Sequence, residues 1–143
     1  MKIEKVFSRH LTDDGKFIRK KVFIEEQGFK DEFDEYDCDE KAIHLVLYDN
    51  QQAVATGRLF TKDSQKKTYT IGRLAVIKEY RKLGLGKVLV QSLEEKAKEE
   101  GAEKITISAQ CRAEGFYKKL GYTSSGDIYY EETCPHIHME KIL

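Results

Sequence analysis

Thr70 to Gly86 reads TIGRLAVIKEYRKLGLG, and this stretch decides the fold. A short apolar strand gives way to a basic loop, and an amphipathic helix follows at once. The start of a helix leaves its first N–H groups without intrahelical acceptors and carries partial positive charge, which suits phosphate. Gly84 and Gly86 carry no side chain that would hold the backbone away from an anion. The stretch therefore predicts a pyrophosphate cradle made of Arg81, Lys82, Leu83, Gly84, Leu85, Gly86 and Lys87.

Two better-known phosphate loops do not fit. A Walker A loop needs glycine where this chain has Arg81, and Ser or Thr where it has Val88. A dinucleotide fingerprint needs its third glycine where this chain has Leu89. A pair of glycines can also serve only to shape a turn, so the neighbouring segments must decide.

Those segments repeat a known order. Leu74 and Val76 precede Arg81, Gly84 and Gly86; a helix runs to Glu100; a strand covers Lys104–Ala109; and a helix carries Gly115-Phe116-Tyr117-Lys118-Lys119-Leu120-Gly121-Tyr122. The pattern L-x-V, R-x-x-G-x-G, helix, strand, F-Y-x-K-x-G-[FY] resembles the GNAT N-acetyltransferase superfamily. The segment VFIEEQGF (Val22–Phe29), the pair Ala109–Gln110 and PHIHM near the end resemble its ElaA-like and YjcF-like bacterial branch. Many members have Pro where this chain has Lys78 and Gly where it has Lys82. Both departures leave the R-x-x-G-x-G frame intact.

With 143 residues, the chain can bury one core and is too short for two ordinary domains, so 1–143 reads as a single domain. No apolar run approaches the ~18 residues of a membrane span and no signal-peptide pattern appears. A cytoplasmic protein with no membrane partner is expected. Cys38, Cys111 and Cys134 are widely spaced and form no CxxC, which argues against disulfides and against a metal site.

Net charge is zero, yet the charges segregate. Asp31–Glu40 carries seven acids and no base, whereas Lys78–Lys87 carries four bases against one acid. The basic loop agrees with a phosphate-bearing cosubstrate. The acidic run, preceded by Glu25 and Glu26, would draw in a cation if it faces the site, or is simply a solvated loop. No basic surface with interleaved aromatics points to nucleic acid.

The elements follow from periodicity and punctuation. Met1–Arg9 reads as a strand. Thr12 and Asp13 cap a helix that Gly28 ends, with Ile18 and Val22, and Phe17 and Ile24, spaced for one helical face. His44–Tyr48 and Ala53–Phe60 form a hairpin, followed by the strand Thr68–Val76. Val88, Leu89, Leu93 and Ala97 stripe the next helix, which Gly101 stops. After Lys104–Ala109 and the helix Arg112–Leu120, strands at Tyr122–Glu131 and His136–Ile142 close the domain around a turn at Pro135. Only 68–76 and 104–109 are joined by a helical crossover, so they should be the parallel pair of a mixed, mostly antiparallel α/β (α+β) sheet flanked by helices. The resemblance implies the GNAT fold, in which this central pair splays and the pantetheine arm of acetyl-CoA lies in the gap. It makes Leu74, Ala75 and Val76 backbone contacts and adds Gln110 and Phe116 to the cosubstrate wall.

Acyl transfer to an amine requires a neutral nucleophile, a polarised thioester and a proton for the leaving thiolate. The resemblance makes Tyr117 the acid. A phenol of pKa ~10 is protonated at neutral pH and can deliver a proton; the alternative is a core aromatic. In the fold that the resemblance implies, a backbone N–H of the splayed strand, that of Val76 or its neighbour, would serve the oxyanion. Several family members place a glutamate on the strand equivalent to 68–76, which holds no carboxylate here. The base is then Glu26, at the helix end bordering the acceptor cleft, or His136 on the last strand.

The resulting expectation is an acetyl-CoA-dependent N-acetyltransferase acting on a small cationic amine by direct attack in a ternary complex. A homodimer is compatible with the family. Rival readings are a peptide or protein N-acetyltransferase and a non-catalytic acyl-CoA-binding module. Retention of Tyr117 favours an enzyme, because a pure binder needs no acid beside sulfur.

Overall fold

The computed structural model describes residues 1–30, 32–39 and 41–143. Its sheet has seven strands: β1 (Ile3–Ser8), β2 (Ile43–Asp49), β3 (Gln52–Phe60), β4 (Thr68–Val76), β5 (Lys104–Gln110), β6 (Thr123–Glu131) and β7 (Cys134–Ile142), in the spatial order β1-β2-β3-β4-β5-β7-β6. Only β4 and β5 run parallel, as the single helical crossover requires. Three α-helices accompany the sheet: α1 (Asp13–Arg19), α2 (Leu85–Glu99) and α3 (Glu114–Lys119). No helix among the described residues is long and apolar enough to cross a membrane.

Adjacent residues on β3 show how the layers form. A Cβ on Gly15 of α1 would meet Thr56, whereas one on Gly57 would meet Leu89 and Leu93 of α2. Successive strand residues point to opposite faces, so α1 and α2 cover opposite sides of the sheet. Leu85, Leu89, Leu93 and Ala97 form the buried stripe of α2, each leucine contributing about 1.5–3 kcal/mol by leaving water. Tyr122 locks the C-terminal half to this helix: its hydroxyl donates to Glu94 at 2.6 Å, and Lys141 Nζ reaches the same carboxylate at 3.2 Å.

Three expectations need correction. The helix of residues 12–28 is α-helical only to Arg19; Lys20–Glu26 widens into a π-helix, and the chain leaves it through Gly28 at φ +77°. Ile18 and Val22 are buried as expected, but Phe17 and Ile24 lie on the exposed side. Pro135 lies inside β7, and the turn falls at Glu132, with φ +55°. Pro135 is tolerated there because the last β5–β7 pair is Gln110 with His136, so its missing N–H lies beyond that ladder.

The acidic segment is also built differently from a solvated loop. Glu35–Cys38 forms a 3-10 turn capped by Asp34. Arg19 pairs with Glu32 at 2.8 Å and Asp37 at 2.7 Å; Arg58 pairs with Asp34 at 2.7 Å and Asp37 at 3.0 Å; Arg73 reaches Glu32 and Asp34, each at 3.2 Å. Arg19, Glu32 and Arg58 are buried. Burial opposes ionisation of Asp37, but Arg19, the Asp34 backbone and Arg58 outweigh it and hold the carboxyl down at about 2. At Glu32 burial prevails over Arg19 and Arg73, and the carboxyl is raised. Asp31 and Glu40 of the run lie outside the described residues.

Candidate active site

The site begins where the parallel ladder stops. β4 and β5 pair only over Thr68–Thr70 and Lys104–Thr106; beyond that point they part. β3 and β4 shift register between Thr56 and Arg58, leaving Arg73 and Leu74 opposite Gly57. Arg73 adopts φ +52° in this bulge, a conformation that costs a non-glycine residue energy and persists only where its surroundings impose it. Leu74 closes the bulge by packing over Gly57, where an added Cβ would stand only 2.7 Å from Leu74 Cδ2.

A cavity of about 410 Å³ opens beside the parted strands. Its lining includes Leu74, Gln110, Tyr117 and His136, so four of the residues singled out in the sequence converge on one space. Tyr117 is buried, packed edge-on against Phe116 and Tyr122. Burial pushes its phenol up to about 12, so it stays protonated through the neutral range. Among the described residues its hydroxyl has no hydrogen-bond partner. Gln110 is held by Gln27, its amide donating at 2.8 Å.

His136 is oriented by its neighbours. Its Nδ1 lies 2.9 Å from the carbonyl of Cys134, which can only accept, so Nδ1 carries the hydrogen. Nε2 faces the Glu131 carboxylate at 3.3 Å, and Tyr129 stacks on the ring. Ser108 Oγ donates to the other Glu131 oxygen at 3.0 Å and bonds the Tyr129 hydroxyl. Sequence reasoning missed Ser108, Tyr129 and Glu131. Alternation alone cannot announce them, because they meet only through the pairing of β5, β7 and β6.

Glu26 lies elsewhere. It is not among the residues lining the cavity; its carboxylate accepts from Arg81 Nη2 at 2.9 Å. Arg81 Nε also donates to the Val76 carbonyl at 3.0 Å. That carbonyl points into the gap, since the N–H of the same peptide, on Ile77, points the other way to Val54 of β3. Strand geometry sends the Val76 N–H to the gap side as well. Arg81 thus spans the mouth of the gap from β4 to the π-helix.

The cradle has the expected backbone but for partly different reasons. Gly84 precedes α2 with φ +81°, and nothing lies within 4 Å of an added Cβ; its glycine is required by conformation. Gly86 is required by contact, since a Cβ there would sit 3.1 Å from the ring of Phe116. Lys82, in the left-handed region at φ +67°, completes the turn. The N–H groups of Leu85, Gly86 and Lys87 have no intrahelical acceptor, the first helical bond running from the Val88 N–H to the Gly84 carbonyl. Leu83, Lys82 and Lys87 are exposed, whereas Ala75 and Leu85 bury their side chains and can offer only backbone. A phosphate-bearing cosubstrate fits this turn, and a narrow pantetheine-like arm fits the parted strands.

Comparison with known proteins agrees with the geometry. Residues 8–143 match the family described as "Acetyltransferase (GNAT) domain". YyaT of Bacillus subtilis is 39% identical, with 99% of this chain and 95% of that protein covered. YjcF of the same organism, an uncharacterised N-acetyltransferase, is 33% identical over 90% of each. Escherichia coli ElaA superposes with a TM-score of 0.86 at 24% identity, covering 98% of this chain and 99% of that one.

Proposed function

Because the chain belongs to the GNAT acetyltransferase family and is an acyltransferase, we propose that it moves an acetyl group from acetyl-CoA to the primary amine of a small molecule by direct attack in a ternary complex. Bound acetyl-CoA supplies an electrophilic thioester, whose C–S bond breaks as the new N–C bond forms. The turn from Arg81 to Lys87 holds its pyrophosphate, with Phe116 packed beside that turn, and the edges of Leu74, Ala75 and Val76 hold its arm. The Val76 N–H stabilises the carbonyl oxygen as charge develops. An alkylammonium of pKa ~10 must lose a proton before attack, and His136 Nε2 accepts it. Glu131 balances the imidazolium, and Ser108, itself bonded to the Tyr129 hydroxyl, holds Glu131 in place. Tyr117 directs its hydroxyl hydrogen at the departing sulfur, and the second amine proton, released as the amide forms, ends on that sulfur as the free thiol. With its phenol at about 12, it acts chiefly as a hydrogen-bond donor to developing charge.

One observation carries this reading: a buried tyrosine, whose hydroxyl makes no hydrogen bond among the described residues, lines the cavity where β4 and β5 part. Tyr117→Phe is expected to lower kcat by about 10²–10⁴-fold while acetyl-CoA affinity changes little. Turnover and calorimetric affinity, measured together, decide. Undiminished turnover in the phenylalanine variant would return Tyr117 to a packing role.

A further inference from the structure

We propose that the acceptor is an amine that also carries a carboxylate, with Lys62 reading the carboxylate: Lys62 follows Phe60, which lies level with Thr106 of β5, whereas His136 pairs with Gln110, four residues further along that strand. This rests on the acyl-transfer reading above and names the substrate class of that site.

The inference comes from accounting for charge around the cavity. Glu32, Asp34, Arg58 and Arg73 all line it, but they are not available to a ligand as net charge. With Arg19 and Asp37 they form a closed set of three arginines and three acids, joined by contacts of 2.7–3.2 Å. Once that set cancels, two charged features remain on the wall. One is the His136–Glu131 pair. The other is Lys62, which has no carboxylate partner among the described residues. Its ammonium lies 5.4 Å from the ring of Tyr36 and 5.8 Å from that of Phe60.

Tyr36 and Phe60 are stacked with centroids 4.2 Å apart, and the Arg58 guanidinium lies 4.7 Å from the Phe60 ring. Arg58 Nε is buried with no hydrogen-bond partner. This end of the cavity therefore holds an ammonium without a carboxylate partner among the described residues, beside an aromatic platform and the Arg58 guanidinium. Such a surface favours an anion and disfavours a second ammonium, because opposite charges attract and like charges repel. A zwitterion satisfies both ends: its amine faces the group that takes its proton, and its carboxylate faces Lys62. A diamine would bring its second charge against Lys62.

The test uses the full-length protein with acetyl-CoA and matched acceptors: a series of ω-amino acids, their primary amides, and the diamines of equal length. Amino acids are expected to exceed their amides in kcat/KM by about tenfold or more, as a charge-assisted contact allows. Diamines should rank below both. Lys62→Glu, at an exposed position where folding is not threatened, should invert the order in favour of diamines. A ratio that moves less than about twofold in Lys62→Glu, or amides and diamines equal to amino acids in the wild type, overturns the proposal. Calorimetric titration of the same compounds in the presence of coenzyme A reads the discrimination without turnover. Preferential amino-acid binding that Lys62→Glu abolishes would uphold the charge inference even if no compound were acetylated, a result that would sink the acyl-transfer reading alone. Absence of any preference in that titration would overturn the inference.

Discussion

Two stretches of this chain stand out by charge, and they use it in opposite ways. The acidic run around Glu32–Asp39 meets three arginines delivered by α1, β3 and β4, and its carboxylates build a wall. The basic turn around Arg81–Lys87 meets, among the described residues, a single exposed carboxylate, Glu26, and Lys82 and Lys87 are exposed. A charge run in sequence is thus a supply of charge with no stated use. The use is set by whether opposite charges arrive from elsewhere in the fold. Glu32, Asp34 and Asp37 are matched by the three arginines, so these three carboxylates offer a cation no net charge.

The sharpest way to break this contrast is to remove one arginine from each side. Arg19→Met leaves Glu32 and Asp37 short of a buried partner and should cost about 3–5 kcal/mol. Arg81→Met removes an exposed charge and should cost no more than about 1 kcal/mol. Urea unfolding of the two variants gives both numbers, and equal losses would erase the distinction between wall and cradle.

Acid offers a second and smaller effect. Asp37 is held at about 2 against 3.8 for an unperturbed group. A depressed folded-state value contributes stability above the unfolded value, and that stability is lost as pH falls from about 4 towards 2. The contribution is about 2 kcal/mol. Glu32, raised by burial, has the opposite sign and offsets part of it. Asp37→Asn should be less stable at neutral pH yet lose less on acidification. Stability curves at about pH 5 and about pH 2.5 check this, and an unchanged pH slope would contradict the assignment.

The smallest effect concerns the pair that joins the two regions' neighbours. Arg81 must leave Glu26 to meet a phosphate, so Glu26→Gln should tighten coenzyme A binding by a few-fold at low salt. A fall in turnover of tenfold or more would instead restore Glu26 as the proton acceptor.

What could be read from sequence divides along the same line as local and distant structure. The cradle and the Tyr117 helix are contiguous motifs, and their backbone requirements follow from neighbours in the chain. The parallel pair was legible because one crossover helix forces it. The bulge at Arg73 was not, because it depends on Leu74 meeting Gly57 across two strands. The π-helix left no periodicity signal that separates it from an α-helix, since Ile18 and Val22 are buried in either. His136 could be named as a candidate, but its partner Glu131 depends on the β6–β7 pairing and Ser108 on the β5–β7 register.

The placement of β7 between β5 and β6 has a consequence in time. A ribosome delivers β6 before the strand it pairs with, so β6 must wait, unpaired, while the hairpin turn and β7 emerge. The cradle and its helix are complete by then, but His136 is not yet made. During synthesis the molecule acquires the side that would hold the cosubstrate first and the side that would take up a proton last. Until β7 docks, β5 and β6 each present an unpaired strand edge.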